Sequence, residues 1–314
     1  MSTRFLERWI QHALEDEPLR AKSVVMTVFG DAITPHGGAV WLGSLIALLA
    51  PLGISERLVR TSVFRLVQDG WITAQREGRR SHYALSEPGQ RRAAHAYRRV
   101  YHLDEMVWDR RWTIVMGTEQ LSASQRALLR KHLQWEGCCV VGTGWWMRPS
   151  GKEDIIEDLL QRLGLSALVH VLSASDAALA GTAPVESLVA SGWDLAPVIA
   201  SHGQFVDRFG ALPAAIGAAE RLDPLQAFLL RTLTIHAFRR LQLHDPHLPQ
   251  ELLPLALRDA RAYALCRDIY RRTHVAAGSF ILAALREEDA ALGGPDAAFY
   301  RRFGGLDATP AGQQ

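Results

Sequence analysis

One stretch constrains this chain more than any other, and it runs over residues 55–83. Its first half, from Ser55 to Gly70, carries Val59, Val63, Leu66 and Gly70 on one side at about 100° per residue, the spacing of a buried helical stripe. Ser55 stands where a hydroxyl can cap the free N–H groups of the first turn. The second half reads as two short strands joined by a tight turn around Glu77-Gly78. A helix running straight into a basic hairpin is the layout of a winged helix-turn-helix, a module that reads DNA.

Opposite the apolar stripe fall Arg57, Thr61, Phe64 and Gln68, with Arg60 and Arg65 on the flanks. Long donors on one solvent face can reach base edges and phosphates in a major groove. A solvated surface helix is the plain alternative. Against it, the face holds arginines and no lysine, which suits bidentate contacts, and the hairpin adds Arg76, Arg79, Arg80 and His82. Arg57, Arg60, Thr61, Arg65 and Gln68 are therefore the candidate base and phosphate contacts. Arg76, Arg79, Arg80 and His82 are the candidate phosphate or minor-groove contacts. Arg65 has an alternative use, pairing with Asp69 one turn on. Phe64 is expected to pack against the hairpin or a neighbouring helix.

Charge agrees with this placement. Residues 1–100 contain 14 Lys and Arg against 9 Asp and Glu, whereas the remaining chain has 21 against 24, so the net +2 conceals a basic N-terminal part. Cys138, Cys139 and Cys266 cannot build a disulfide framework and have no zinc-site spacing; the adjacent pair reads as core. No signal-peptide pattern opens the chain, and the apolar run over 40–54 is too short to span a bilayer and is broken by Pro51. A cytoplasmic protein without membrane association is expected.

Along the chain, helices are predicted over 1–18, 20–31 and 41–50, leading into the reading helix and its wing. A linker helix follows over 88–101, rich in arginine. From Trp108 the rhythm changes: strands over 112–116, 138–141, 145–147 and 168–172 alternate with helices over 122–135 and 151–163. That order is β-α-β-β-α-β, a ferredoxin-like arrangement. Gly142-Thr143-Gly144 reads as a hairpin turn, since no helix opens after it. Beyond Trp193 the pattern is helical, over 195–209, 224–243, 258–273 and 275–287, and the tail after Arg302 is expected to fray. The fold class is thus α+β. Its predicted domains are a winged helix-turn-helix (1–87), a linker helix (88–107), a ferredoxin-like domain (108–175) and a helical C-terminal domain (176–314).

The runs Gly30-Asp31, Gly37-Gly38, Trp41-Leu42-Gly43-Ser44-Leu45, Glu56-Arg57, Val59-Arg60-Thr61, Phe64-Arg65-Leu66, Gly70-Trp71 and Gly78-Arg79-Arg80-Ser81 closely resemble the phenylacetic-acid catabolism repressors, the PaaX-type regulators. Near the other end the resemblance continues through Asp245-Pro246-His247-Leu248-Pro249, Glu251-Leu252-Leu253-Pro254, Leu265-Cys266, Ile269-Tyr270 and Arg302-Phe303-Gly304-Gly305-Leu306. It spans nearly the whole chain. It implies a homodimeric repressor with a winged helix, a Cas2-like middle domain and a helical C-terminal domain. Such a repressor binds a palindromic operator of phenylacetate-degradation genes and is released by phenylacetyl-CoA. Where the family commonly has Trp-x-Gly after Leu-Leu-Pro, this chain has Leu257-Arg258-Asp259, so a repressor of another pathway sensing a related aryl-CoA is the alternative.

A CoA thioester needs cations for its phosphates and an apolar slot for its aryl group. Arg239, Arg240, Tyr263, Arg267 and Tyr270 are the candidate effector contacts, beside the pairs Arg271-Arg272 and Arg301-Arg302. No catalytic residue, cofactor or metal site is predicted. His236, His244 and His247 have no accompanying carboxylate or thiol cluster. A Cas2-like metal-dependent nuclease would need an Asp ending the first strand, but that strand ends Val115-Met116-Gly117-Thr118. A constitutive architectural DNA-binding protein is the remaining non-enzyme alternative.

Overall fold

The computed structural model describes residues 2–16, 19–78, 80–102, 108–149, 153–175, 184–258 and 260–306. Contacts divide the chain into two compact units. One comprises residues 1–103, 205–242 and 261–314; the other comprises 104–204 and 243–260. The division in space therefore differs from the order along the chain, since C-terminal helices join the N-terminal ones.

The first unit opens with α1 (Ser2–Asp16) and α2 (Ala21–Val28). A five-residue π-helical segment over Phe29–Ile33 follows α2 and turns Asp31 inward. A short strand β1 (Ala39–Trp41) leads into α3 (Leu42–Leu49) and α4 (Glu56–Gln68). The wing is β2 (Ile72–Glu77) and β3 (Arg80–Leu85), paired antiparallel from Ile72↔Leu85 to Glu77↔Arg80. β1 adds to the far side of β3, giving a three-stranded sheet of order β1-β3-β2. At three residues, β1 is too short to leave a periodic trace in sequence. Val59, Val63 and Leu66 of α4 are buried, and α2 and α3 pack against that helix, so the predicted stripe is the packed face.

Capped by Ser86, whose Oγ accepts from Gly89 N at 3.0 Å, α5 (Glu87–Tyr101) leaves the wing. The end of α9 (Ala196–Phe209) and the helices α10 (Leu212–Gly217), α11 (Pro224–Gln242) and α13 (Arg261–Arg286) complete this unit together with α14 (Ala297–Tyr300), while the short α12 (Leu255–Arg258) belongs to the other. The predicted break near residue 274 is absent, and α13 runs unbroken for 26 residues. Nothing in the sequence there forces a break: Thr273 turns its hydroxyl onto Ile269 O at 2.8 Å, inside the helix's own ladder. α11 is buried almost all round and packs along α13. The expected fraying is also corrected for residues 303–306: Phe303 and Leu306 are buried, and Arg271 donates to the carbonyls of Phe303 and Gly305 at 3.1 Å. Residues 307–314 lie outside the described residues.

The second unit is built on β4 (Arg111–Met116), β5 (Cys139–Gly142), β6 (Trp145–Pro149) and β7 (His170–Ser175), in the order β5-β6-β4-β7. All pairings are antiparallel. With α6 (Ala123–Trp135) after β4 and α7 (Glu153–Leu163) after β6, this is the β-α-β-β-α-β order expected from sequence. Leu129, Leu133, Ile156, Leu159 and Leu160 join Val115 and Trp146 in one core. A second core holds Trp108, Trp112, Met147 and Trp193 with Val189 of α8 (Val185–Gly192) and Leu248 and Leu252. Cys138 and Cys139 belong one to each core, and burial pushes both thiols up to about 12, so they act as packing residues. Among the described residues, no helix is long and apolar enough to cross a membrane.

Candidate nucleic-acid interface

The helix α4 begins as its sequence dictates. Ser55 Oγ accepts from Leu58 N at 3.4 Å, and Glu56 in the first turn complements the helix dipole. With Val59, Val63 and Leu66 held inward, Arg57, Arg60, Thr61, Phe64, Arg65 and Gln68 are all exposed. Arg60 is engaged within the helix, its Nη2 lying 2.7 Å from Glu56 Oε1. Thr61 turns its hydroxyl onto Arg57 O at 2.8 Å. The alternative pairing of Arg65 with Asp69 does not form; Asp69 takes Lys22 of α2 instead. The expectation that Phe64 packs against the wing or a neighbour is also corrected: its ring is 62% exposed. It lies opposite the buried stripe, and the wing does not reach back over it.

Gly78 adopts φ 59°, a left-handed conformation that lets the wing reverse with little steric cost. Arg76 is exposed and donates from Nε to Gly78 O at 3.2 Å. Arg79 lies outside the described residues. His82 is half-buried, its ring centroid 5.1 Å from that of Trp41.

Arg80 is exposed but committed in part. Its guanidinium lies 4.8 Å from the Trp41 ring centroid, and its Nη2 donates to Glu288 Oε1 at 2.9 Å. The other oxygen of Glu288 accepts from Ser44 N at 2.7 Å, at the start of α3. A Cβ on Gly43 would stand 2.6 Å from that carboxylate, so glycine is what lets Glu288 come so near. Burial opposes ionisation of Glu288. The Ser44 amide and Arg80 outweigh it and hold the carboxyl below its ordinary value. Glu288, just past α13, thus binds both α3 and the wing.

A second link is fully buried. Asp31 Oδ2 accepts from Arg231 Nε at 2.8 Å, and Oδ1 accepts from Arg302 Nη1 at 2.9 Å, Tyr101 Oη at 2.7 Å and Tyr270 Oη at 3.0 Å. Arg302 Nη2 also donates to Gly30 O at 3.0 Å. Its guanidinium lies 4.1 Å from the Tyr101 ring centroid and 5.1 Å from that of Phe299, while Arg231 lies 4.6 Å from Tyr270. Burial opposes the Asp31 charge. Arg231, then Arg302, overcomes it, and the carboxyl sits below its ordinary value. This cluster ties the π-helical segment, α5, α11, α13 and the chain after α14 together. Sequence reasoning missed it, although one signal was present: Arg231 interrupts Leu229, Leu230, Leu233 and Ile235 in a helix otherwise fit for burial, and such a charge needs a counter-ion.

The candidate effector residues are not gathered in one place by exposure. Arg240 and Arg267 are exposed, and Arg239 is half-buried, with burial drawing its pKa down. Tyr263 and Tyr270 are buried among Phe238, Phe299 and Phe303, and Tyr270 belongs to the Asp31 cluster. Arg302, one of the predicted cation pairs, is likewise spent on Asp31. Among the described residues there is no group of His, Cys, Asp and Glu able to hold a metal. Asp245, flanked by two of the histidines weighed as ligands, accepts from His247 N at 2.7 Å and lies 3.1 Å from His202. Asp109 caps its own turn, accepting from Arg111 N at 2.9 Å.

A capped helix with a basic, outward face, packed on two helices and followed by a basic hairpin, defines a regulator of the winged helix-turn-helix class. The chain belongs to the PaaX family: residues 20–89 match the PaaX-like protein family, 105–187 the PaaX protein central Cas2-like domain, and 193–283 the PaaX-like protein C-terminal domain. It is 35% identical over 303 residues to the transcriptional repressor PaaX of Escherichia coli (strain K12), covering 96% of each chain. It is also similar to the solved structure of an uncharacterised protein from Mycobacterium tuberculosis, at 24% identity and a TM-score of 0.48, covering 82% of this chain and 96% of that one. The family is one of transcriptional repressors and not of enzymes.

Proposed function

We propose that this protein is a transcriptional repressor of phenylacetate or a related aromatic catabolism. In this reading α4 sits in the major groove of an operator and the wing lies along the adjoining backbone. Arg57, Arg60, Arg65 and Gln68 read base edges and phosphate; Arg76, Arg79, Arg80 and His82 supply affinity with little sequence choice. The observation that carries this reading is the outward face of α4, with its packed stripe turned away, in a chain matched along its length by one repressor family.

The protein acts as a homodimer on a palindromic operator, with the two α4 helices about 34–36 Å apart or a multiple of that. Phenylacetyl-CoA or a related aryl-CoA is the releasing signal. Such a ligand can release DNA only by binding the two conformations with different affinity. The links from Glu288 and Arg302 to the reading head support coupling between the C-terminal helices and the DNA contacts.

The test is binding to DNA upstream of the protein's own and neighbouring catabolic genes, titrated with phenylacetyl-CoA, phenylacetate and unrelated acyl-CoAs at fixed salt. Release by phenylacetyl-CoA alone is the expected result. Release by another aryl-CoA changes the pathway and keeps the mechanism. Specific binding that no CoA ester disturbs overturns the effector assignment.

A further inference from the structure

The geometry points to Phe64 as a specificity residue, its ring making the apolar contact to the 5-methyl group of a thymine in the operator's major groove. The inference rests on α4 being the reading helix, and it adds a contact that charge patterning does not reveal. Phe64 carries the most exposed ring of any Phe, Tyr or Trp among the described residues, at 62%. It is not a flank position: at about 100° per residue it falls within about 20° of Arg57, with Gln68 and Thr61 within about 40° on the other side. The ring stands between Arg60 and Arg57 on the helix face that would enter DNA.

Its neighbours sharpen the chemistry. The Thr61 hydroxyl gives its proton to Arg57 O at 2.8 Å, so that side chain has no donor left for a base edge and offers its methyl group beside an acceptor oxygen. Thr61 and Phe64, one turn apart, therefore form a small apolar island within a rim of Arg57, Arg60 and Arg65. A second copy of this chain is a poor occupant. A two-fold contact through this face would set that arginine rim against itself. The rim calls for a polyanion, and the island calls for an apolar group within it. In the major groove, thymine alone among the four bases offers such a group, its 5-methyl. Laid against any other base edge, the ring would strip water from donors and acceptors it cannot replace.

The experiment compares operator duplexes prepared with thymine and with deoxyuridine, which differ only in that methyl group, using the full-length protein. Wild type is expected to bind the uracil duplex about four-fold more weakly for each thymine contacted, the value of burying one methyl. Phe64→Ala is expected to lose affinity for the thymine duplex and to bind both duplexes equally, with thermal unfolding little changed because Phe64 is largely exposed. Phe64→Leu is expected to keep part of the discrimination. Equal binding of both duplexes by wild type overturns the inference, as does full discrimination by Phe64→Ala. Failure of wild type to distinguish the operator from a scrambled duplex overturns the assignment of α4 itself.

Discussion

Arg302 Nη1 donates to Asp31 Oδ1 at 2.9 Å across 271 positions of sequence, and both side chains are almost wholly shielded from solvent. With Arg231 on the other carboxylate oxygen, one buried anion serves two buried cations. Removing that anion leaves both guanidinium groups without a counter-charge. Asp31→Ala is expected to destabilise the protein by about 3–5 kcal/mol, the cost of breaking a buried pair. Asp31→Asn, which keeps the shape and one acceptor, should lose less. Urea unfolding of the three proteins gives the comparison, and equal stability of Asp31→Ala and wild type would show that the cluster contributes nothing net.

Sequence and structure part company where contacts are long in sequence. The α4 stripe and the wing were legible because a helical period, a Ser cap and a Gly turn are local signals. The four strands of the second unit were legible for the same reason. Asp31, Tyr101, Arg231, Tyr270 and Arg302 come from separate elements, and no spacing rule joins them. Phe64 was misplaced because its residue type was weighed above its period. The period turns it about 100° away from Val63 and about 140° from Val59, off the buried stripe, and the structure follows the period.

Glu288 occupies ground that a DNA phosphate would favour, at the amide of Ser44 and the guanidinium of Arg80. Glu288→Gln removes the negative charge and frees Arg80 for the backbone. Tighter operator binding is expected, with the slope of log affinity against log salt steeper by about one. Gly43→Ala offers an independent route, since its methyl group displaces the flexible end of Glu288 and leaves Arg80 intact. The two variants should shift binding in the same direction. Weaker binding by both would mean that Glu288 serves to position Arg80 for DNA.

Acid should weaken the fold in two stages. His36 is buried with its Nδ1 against Ala32 O at 2.7 Å. Burial comes first in drawing its pKa below the ordinary 6.5, Arg231 and Arg302 add to that, and Ala32 O and Asp296 oppose it. The unfolded chain therefore takes up a proton that the folded protein resists, and stability falls as pH drops below 6.5. Glu288 and Asp31 have folded pKa values below their ordinary 4.5 and 3.8; their contributions are present above those values and are lost as pH falls further, through the folded ones. Thermal unfolding across this range should show both stages. His36→Gln should abolish the first and retain the second.

In the proposed reading, Arg57 and Arg76 separate recognition from attraction. Arg57 lies beside Phe64 in the centre of the α4 face, whereas Arg76 lies on the wing with its Nε on Gly78 O. Arg57→Ala should cost about 1–3 kcal/mol on the operator and much less on a scrambled duplex, because a base-edge contact is lost. Arg76→Ala should weaken binding to both duplexes alike and reduce the salt slope by about 0.9, one phosphate contact fewer. Titrations of each variant on both duplexes at several salt concentrations distinguish the two roles. If Arg57→Ala behaves like Arg76→Ala, the centre of α4 faces the backbone, and the base-reading face must lie further round the helix towards Arg65.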